Sequence, residues 1–170
     1  MTNNNSITFG QLEKKYKTFR SQIPRRIAMS AENFFKRNFQ VQGFVDQPFK
    51  KWPERKNPKD KGRAILVKSG KSRRAIKPLK ITEKVVVVGV GEHIPYAALH
   101  NSGGKIKVTS KMRRFFWAKY METQDEYYKS LALTKKQYLT MPKRQFIGES
   151  KALYVALDRM IARQLEKALQ

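Results

Sequence analysis

The chain has no cysteine and only two histidines, His93 and His100, among its 170 residues. Without cysteine it cannot form a disulfide, a thiolate zinc site or a catalytic thiol. The histidine spacing matches neither the His-Glu-x-x-His motif nor the three-ligand sets of catalytic zinc. The sequence therefore predicts no metal site, and we expect neither histidine to be a ligand.

Long apolar runs are also missing. The longest is the run of four valines at residues 85–88, which continues past Gly89 to Val90. A transmembrane helix needs roughly 20 apolar residues, so this run is far too short to cross a bilayer. The first six residues are polar and lack the order of basic, apolar and small residues found in a signal peptide. We expect no membrane partner and no secretion by that route.

Acidic residues are scarce: 13 aspartates and glutamates stand against 37 lysines and arginines, which gives a formal net charge of +24. A small soluble domain usually carries a net charge of about 2–8. The excess is greatest in residues 61–120, where 15 basic residues are opposed only by Glu83 and Glu92. An anion, either nucleic acid or an acidic protein, is expected at this part of the chain, although a solvated basic face without a ligand explains the charge equally well.

No catalytic or nucleic-acid-binding motif accompanies this charge. Ser69-Gly70-Lys71-Ser72 contains Gly-Lys-Ser, but Ile65 stands where a phosphate-binding loop needs its first glycine. His100 lies beside Asn101 and Ser102 without the carboxylate or glycine pattern of a catalytic triad. Zinc-finger, RNA-recognition and helix-turn-helix signatures are absent as well. We therefore expect no enzyme and no cofactor.

Apolar spacing predicts a helix near each end of the chain. Residues 11–39 are predicted to be helical, with Pro24 either in a first turn or separating two helices. Residues 149–169 are predicted to form a second amphipathic helix. The two apolar stripes, at three- and four-residue steps, are Ile23, Ile27, Ala31, Phe34 and Phe35 in the first and Leu153, Leu157, Met160, Ile161, Leu165 and Ala168 in the second.

Between the helices, short strands are predicted at residues 64–67, 84–90 and 105–109. The continuous valines of the second indicate a central strand covered on both faces. Residues 131–133 and 138–141 are predicted to form a hairpin, and residues 93–104 to form a turn or strand-like loop ended by two glycines.

Two segments leave alternatives open. Residues 44–62, with three prolines and many charges, are predicted to be a long exposed loop, in which Trp52 packs against the body or against a partner; the usual burial of aromatic side chains favours the body. Residues 112–128 are rich in aromatic side chains that belong to the core or to an interface. Large exposed apolar patches are uncommon on soluble monomers, which favours the core.

The predicted fold class is α+β, with a small, mostly antiparallel β-sheet packed with N-terminal and C-terminal amphipathic helices, plus a long basic proline-containing loop. Residues 1–170 are expected to form a single domain. It would comprise a helical N-terminal arm (1–43), an extended basic loop (44–62), a sheet-containing body (63–148) and a C-terminal helix (149–170).

The order of several short sequence blocks resembles the bacteriophage virion morphogenesis family, the tail-completion proteins of Mu-like tailed phages. The resemblance runs from about residue 34 to residue 148, and it departs from the family at Ser72, where a leucine is frequent, and in the extra segment 112–128. The blocks are Asn38-Phe39, Ile65-Leu66-x-x-Ser69-Gly70, Arg73-Arg74-Ala75-Ile76, the valine strand ending in Gly89, Tyr96-Ala97-x-x-His100-Asn101-x-Gly103-Gly104 and Met141-Pro142-x-Arg144-x-Phe146-Ile147-Gly148.

The resemblance implies a small structural protein of the phage neck or tail end, acting without catalysis in tail completion or head-tail joining. Its implied location is the virion, and the host cytoplasm during assembly. Its implied partners are copies of itself in a ring, a hexamer or a dodecamer, together with neighbouring connector, tail-terminator or tail-tube proteins and the viral double-stranded DNA in the channel. The motif residues would be structural: Gly103 and Gly104 for turns, Pro142 and Arg144 for fixing the segment before the last helix, and Phe146 and Ile147 for the core.

Two sets of candidate site residues follow. Basic residues expected to face nucleic acid are Lys68, Lys71, Arg73, Arg74, Lys105, Lys107, Arg113 and Arg114. Residues expected to contact partners during assembly are Phe49, Trp52, Arg55, Tyr96, His100 and Arg144. The alternative to the structural role is a general basic nucleic-acid-binding protein without catalysis, in which aromatic side chains stack on bases.

Overall fold

Two long helices form the frame of the fold. The structure, a computed structural model, describes residues 8–55, 62–91 and 94–169. Helix α1 spans Phe9–Val41 and packs against the last helix, α6, which spans Lys151–Leu169. At about 1.5 Å per residue, the 33 residues of α1 extend roughly 50 Å. The predicted helix near each end of the chain is therefore confirmed.

Helix α1 is a single helix with Pro24 in its interior, so Pro24 neither begins nor separates a helix. The helix begins with a capping box in which the Thr8 hydroxyl accepts from the backbone N–H of Gln11, and the Gln11 side chain accepts from that of Thr8. It ends at Gln42, whose left-handed backbone (φ 56°) turns the chain into the first strand.

Among the described residues, the β-structure consists of three separate two-stranded antiparallel sheets rather than one small sheet. The first pairs β1 (Gly43–Phe44) with β2 (Lys50–Lys51), the second pairs β3 (Ile76–Ile81) with β4 (Val86–Val90), and the third pairs β5 (Gly104–Lys107) with β6 (Tyr138–Met141). A four-residue helical turn, α2 (Lys71–Arg74), precedes β3, and a short helix, α3 (Ala97–Ser102), precedes β5.

Strand β4 is not the central, doubly covered strand that its valines predicted. One face of the β3–β4 hairpin packs on α1 through Val88 and Val90, whereas Val85 and Val87 are 48% and 41% exposed. The reason is that, in the part of the chain that the structure describes, this sheet has two strands and its outer side is not covered by a second layer. The strand predicted at residues 64–67 is also wrong, because these residues form a turn in which Leu66 has a φ of 59°.

The core lies where α1, the first sheet, β3 and α6 meet. Phe39 is at its centre, with ring centroids 5.2 Å from Phe146 and 5.4 Å from Trp52. Burial of Trp52 confirms the favoured prediction that this side chain packs against the body. The buried residues that pack together in this core are Ala31, Phe35, Phe39, Phe44, Trp52, Ile76, Ala97, Phe146 and Leu153.

The predicted exposed loop at residues 44–62 is fixed to the body as far as Arg55. Strand β2 pairs with β1, and the backbone N–H of Trp52 donates to the carbonyl of Gln42. Side chains on this stretch, such as Phe49, are nonetheless exposed. The part of the predicted loop at residues 56–61 lies outside the described residues.

Residues 104–141 form an insertion in which β5 and β6 enclose two helices, α4 (Ser110–Thr123) and α5 (Glu126–Ala132). The helices pack on each other. Of their aromatic side chains, Phe115 and Trp117 are exposed, whereas the others are half-buried between the helices without joining the main core, so the core favoured from the sequence is found only in part. The hairpin predicted between residues 131–133 and 138–141 is wrong, because Leu131 and Ala132 belong to α5 and β6 pairs with β5.

Candidate assembly surfaces

The segment before α6, residues 142–148, passes through the body and is held by side chains from several parts of the chain. The Asn101 carboxamide oxygen accepts from the backbone N–H groups of Phe146 (2.9 Å) and Ile147 (3.0 Å). The N–H of Arg144 donates to the carbonyl of His100 at 2.8 Å. Two of the motif blocks that carry the family resemblance, those around His100 and Arg144, are therefore joined directly, and we call this arrangement the interior clamp.

Asn38 on α1 contributes the second part of the interior clamp. It is 0% exposed, its Nδ2 donates to the carbonyl of Phe146 (3.0 Å), and its Oδ1 accepts from the N–H of Val45 (2.9 Å). The indole Nε1 of Trp52 donates to the carbonyl of Gln145 at 2.7 Å. The roles of Asn38 and Asn101 were missed by the sequence reasoning, although an asparagine between Phe35 and Phe39 in an apolar stripe is itself a signal of a buried hydrogen-bonding site.

Arg144 completes the interior clamp from the other side. Its guanidinium donates to the carbonyls of Pro53 and Glu54, both at 3.0 Å, and fixes the chain after Trp52. Burial lowers the pKa of Arg144 from its usual value, with Arg55 adding a smaller repulsion. At Gly103 (φ 73°) a Cβ atom would lie 2.9 Å from the backbone nitrogen of Lys143, so only glycine fits there.

The residues predicted to face nucleic acid do not form one continuous patch. Lys105 and Lys107 are two residues apart on β5, so their side chains lie on the same face of the strand. Arg113 instead donates to the carbonyls of Ala132 and Thr134, where it joins α4 to the end of α5. Arg74 donates to the carbonyl of Ser69 at 2.9 Å. The exposed members of the set are Lys68, Lys71, Arg74, Lys105, Lys107 and Arg114, and Arg73 is half-buried.

The residues predicted to contact partners divide into two groups. Phe49 and Tyr96 present roughly half of their surface to solvent. Trp52 and Arg144 are buried in the interior clamp, and Arg55 donates to the carbonyls of Arg63 (2.8 Å) and Ala64 (2.6 Å). His100 is half-buried on α3, which is a helix rather than the predicted turn, and its ring meets Tyr96 edge-on at 5.9 Å. His93 lies outside the described residues.

A half-open groove of about 850 Å³ lies between the body and the insertion. One wall comes from the turn at Leu66, α2 and α3, and the other from the insertion, including Phe116 and Leu139. Its described lining contains no aspartate or glutamate. Five cationic side chains line it: Arg55, Lys68, Lys71, Lys136 and Arg144.

His100 lines the same groove, and its Nδ1 is buried without a hydrogen-bond partner among the described residues. Burial lowers the pKa of His100 from its ordinary value of 6.5, and the charge of Arg144 lowers it further. The folded chain therefore resists taking up a proton that the unfolded chain accepts as the pH falls through 6.5. We expect the free energy of unfolding to fall between pH 7.5 and pH 5, approximate limits that bracket this titration.

The measurement is urea unfolding across that pH range with His100→Gln, which should flatten the dependence. Asn33→Gln, an exposed substitution outside the groove lining, is the control and should retain the slope of the unaltered chain. Asp46 does not contribute to this pH dependence, because its pKa lies below the usual value of 3.8. The largest cause of this lowering is a hydrogen bond from the backbone of Gln47. An unchanged slope in His100→Gln would contradict the assignment.

Helix α4 exposes a second candidate surface. Phe115, Trp117 and Met121 are 55%, 44% and 61% exposed, and Lys111 and Arg114 flank them. None of the helix's residues is fully buried. Trp117 and Met121, one turn apart, share one face of α4 with Arg114, whereas Phe115 projects from a different side of the helix next to Lys111. Exposed apolar side chains bordered by cations are typical of a protein contact surface.

Within the described ranges, no group of three or more histidine, aspartate or glutamate side chains is placed to hold a metal ion. In the same residues, no helix combines the length and apolar character needed to cross a membrane. The interior clamp stabilises the fold, and the groove and α4 present surfaces to solvent.

Comparison with known proteins agrees with the sequence resemblance. Searches of curated proteins and of solved structures gave no significant match. The family model described as the phage virion morphogenesis family matches residues 7–167, which is nearly the whole chain. This range includes α1, the insertion and α6 up to Lys167, as well as both motif blocks of the interior clamp. The chain therefore belongs to the phage virion morphogenesis family and has a role in phage virion assembly.

Proposed function

We propose that the protein is a structural component of the virion neck or tail end, which acts in tail completion or head-tail joining as a ring around the DNA channel. The observation that carries this proposal is that the motif residues stabilise the interior of the fold, while other residues form its exposed surfaces. The motif residues Asn101, Arg144 and Phe146 serve the interior clamp, whereas apolar and basic side chains remain at the surface. A protein built in this way contributes contact surfaces rather than chemistry.

Two different exposed apolar faces support assembly into a ring. One is the α4 face with Trp117 and Met121, to which Phe115 adds an exposed side chain on another side of the same helix, and the other is the outer side of the β3–β4 hairpin, with Leu79 and Val87. A closed ring needs heterologous contacts, in which one face of a subunit meets a different face of the next. Both faces are also the kind of surface that a soluble monomer rarely leaves open. A hexamer and a dodecamer are both compatible with this arrangement.

The test is complementation of a phage that lacks this gene. Changing Phe115, Trp117 and Met121 together to serine should reduce infectious particles by about 100-fold or more, with filled heads and free tails accumulating, because a contact of roughly 3 kcal/mol or more is lost. Electron microscopy of the lysate distinguishes unjoined parts from complete virions, and averaged images of the junction give the ring symmetry.

Tyr154→Ser is the matched control, since this aromatic side chain is similarly exposed on α6. It should support a normal yield of particles. Both variants should unfold at nearly the same urea concentration as the unaltered protein. A normal yield from the triple variant, or a block before heads and tails form, would contradict the proposed role.

The second candidate function is general nucleic-acid binding, which is favoured by the exposed Lys105 and Lys107 on one face of β5. Contacts of this kind make DNA affinity fall steeply with salt. Arg113 is unsuitable for testing it, because its loss would also detach α4 from the end of α5. A phage that lacks the gene but still joins heads to tails, together with salt-dependent DNA binding by the purified protein, would favour this second function.

A further inference from the structure

The groove between the body and the insertion combines an apolar floor with a cationic rim. Ile65, Leu66, Ile106, Leu131 and Leu139 line it together with aromatic rings such as Phe116. We propose that this groove binds an acidic polypeptide segment of another virion protein, with an apolar side chain of that segment seated on the floor. This inference depends on the proposed assembly role in one respect only, namely that the acidic segment comes from another virion protein.

The charge of the groove lining favours an anionic ligand. Lys68, Lys71 and Lys136 are exposed at the rim and form no ion pair with another described residue. No described carboxylate lines the groove, so the cations repel one another until an anion arrives. A ligand with several negative charges removes this repulsion, and the positive field raises its rate of association.

A second copy of the chain does not supply such a ligand. The chain has only 13 aspartates and glutamates against 37 lysines and arginines, so it offers few negative charges to a cationic groove. At least six of its 13 carboxylates are already paired with its own lysines or arginines. These paired residues are Glu13, Glu32, Asp46, Glu83, Glu122 and Glu126.

Duplex DNA can pair its phosphates with the cationic rim of the groove, but it brings no apolar side chain to the floor. Its outer surface consists of phosphates and sugars, and proteins meet it with polar and positively charged surfaces. Leu66, Phe116 and Leu139 would gain nothing from a phosphate, whereas an apolar side chain removed from water on this floor is stabilised by burial. The floor and the rim together therefore select a polypeptide that carries both carboxylates and apolar side chains.

The experiment measures binding of fluorescent synthetic peptides to the full chain by anisotropy at physiological salt. The probes are a 12-residue peptide of alternating acidic and aliphatic residues, the same peptide with serine at each aliphatic position, its lysine-substituted counterpart and a short DNA duplex. The acidic–aliphatic peptide should bind at least about tenfold more tightly than the serine version, because only it buries apolar surface on the floor.

Paired charge variants locate the binding. Lys68→Glu with Lys71→Glu should weaken the acidic–aliphatic peptide about tenfold, since both rim charges are reversed. Arg163→Glu with Lys167→Glu changes the net charge equally on the exposed side of α6, outside the groove lining, and should change the affinity less than about twofold.

Three outcomes would overturn the proposal. They are equal weakening by both pairs of variants, equal affinity for the aliphatic and serine peptides, and no binding of the acidic–aliphatic peptide at millimolar concentration. A loss of duplex binding confined to the Lys68 and Lys71 variant, with peptide binding unchanged, would assign the groove to DNA. Failure of the assembly role itself would appear separately, as normal joining of heads and tails in the complementation experiment.

Discussion

Phe146→Ala is expected to lower the free energy of unfolding by about 3–5 kcal/mol, the usual effect of removing a large side chain from a close-packed core. Phe146 is 0% exposed, and its ring lies against that of Phe39 at 5.2 Å. Its backbone is also fixed by Asn38 and Asn101, so the surrounding chain cannot easily collapse into the cavity. Urea unfolding followed by circular dichroism measures the change.

Phe115→Ala provides the matched control for this prediction. The same side chain is removed from the exposed face of α4, where it is 55% exposed, and the expected change is about 0.5 kcal/mol or less. The two variants together separate folding from assembly, because Phe115 belongs to the surface tested by complementation. A loss below about 1 kcal/mol for Phe146→Ala would show that the site relaxes in a way that the packing does not indicate.

Asn38→Ala is expected to lower the free energy of unfolding by about 2–4 kcal/mol. The substitution leaves the carbonyl of Phe146 and the N–H of Val45 without their partner, and each unsatisfied buried group costs about 1–3 kcal/mol. The effect is large because a single side chain joins α1, the residue after β1 and the segment before α6. Chemical unfolding of the purified variant gives the magnitude.

Asn33→Ala tests whether the effect belongs to the buried site rather than to helix propensity. Asn33 lies on the same helix but is exposed, and alanine is the better helix former, so this variant should be unchanged or slightly more stable. Equal losses from Asn33→Ala and Asn38→Ala would contradict the role assigned to the interior clamp.

The helices were predictable because each carries a long apolar stripe. Ala31 and Phe35 in α1 and Leu153 in α6 all lie in the core, as their spacing predicted. Pro24 was harder to interpret, since a proline inside a helix removes only one backbone hydrogen bond and its effect depends on the rest of a long helix. The packing of α1 against α6 and β3 holds the helix together across that position.

The strand predictions failed for reasons of pairing. A run such as Val85–Val88 reports β-propensity but not the number of neighbouring strands, and β4 has only β3 beside it. The hairpin predicted between residues 131–133 and 138–141 is wrong because β6 does not pair with the segment nearest to it in sequence. Tyr138 pairs instead with Lys107, which lies 31 positions earlier in the chain. Long-range pairing of this kind leaves no local signal.

The candidate site was predictable only in part. The blocks around His100 and Arg144 were visible in the sequence, but not that they meet each other, nor that Asn38 joins them. The groove was not predictable at all, because its two walls come from distant parts of the chain. Net charge indicated an anion without indicating which surface would receive it.

The insertion enters and leaves the body through adjacent residues, since Gly104 pairs with Met141 and Lys107 with Tyr138. The chain therefore returns to its starting point after passing through α4 and α5, as a hairpin with a very long loop would. Helices placed between two paired strands can be exchanged, lengthened or deleted without moving either end. The frame around the interior clamp can thus keep its geometry while the helices between β5 and β6 change, so the chain can alter the surface of the insertion without rebuilding its core.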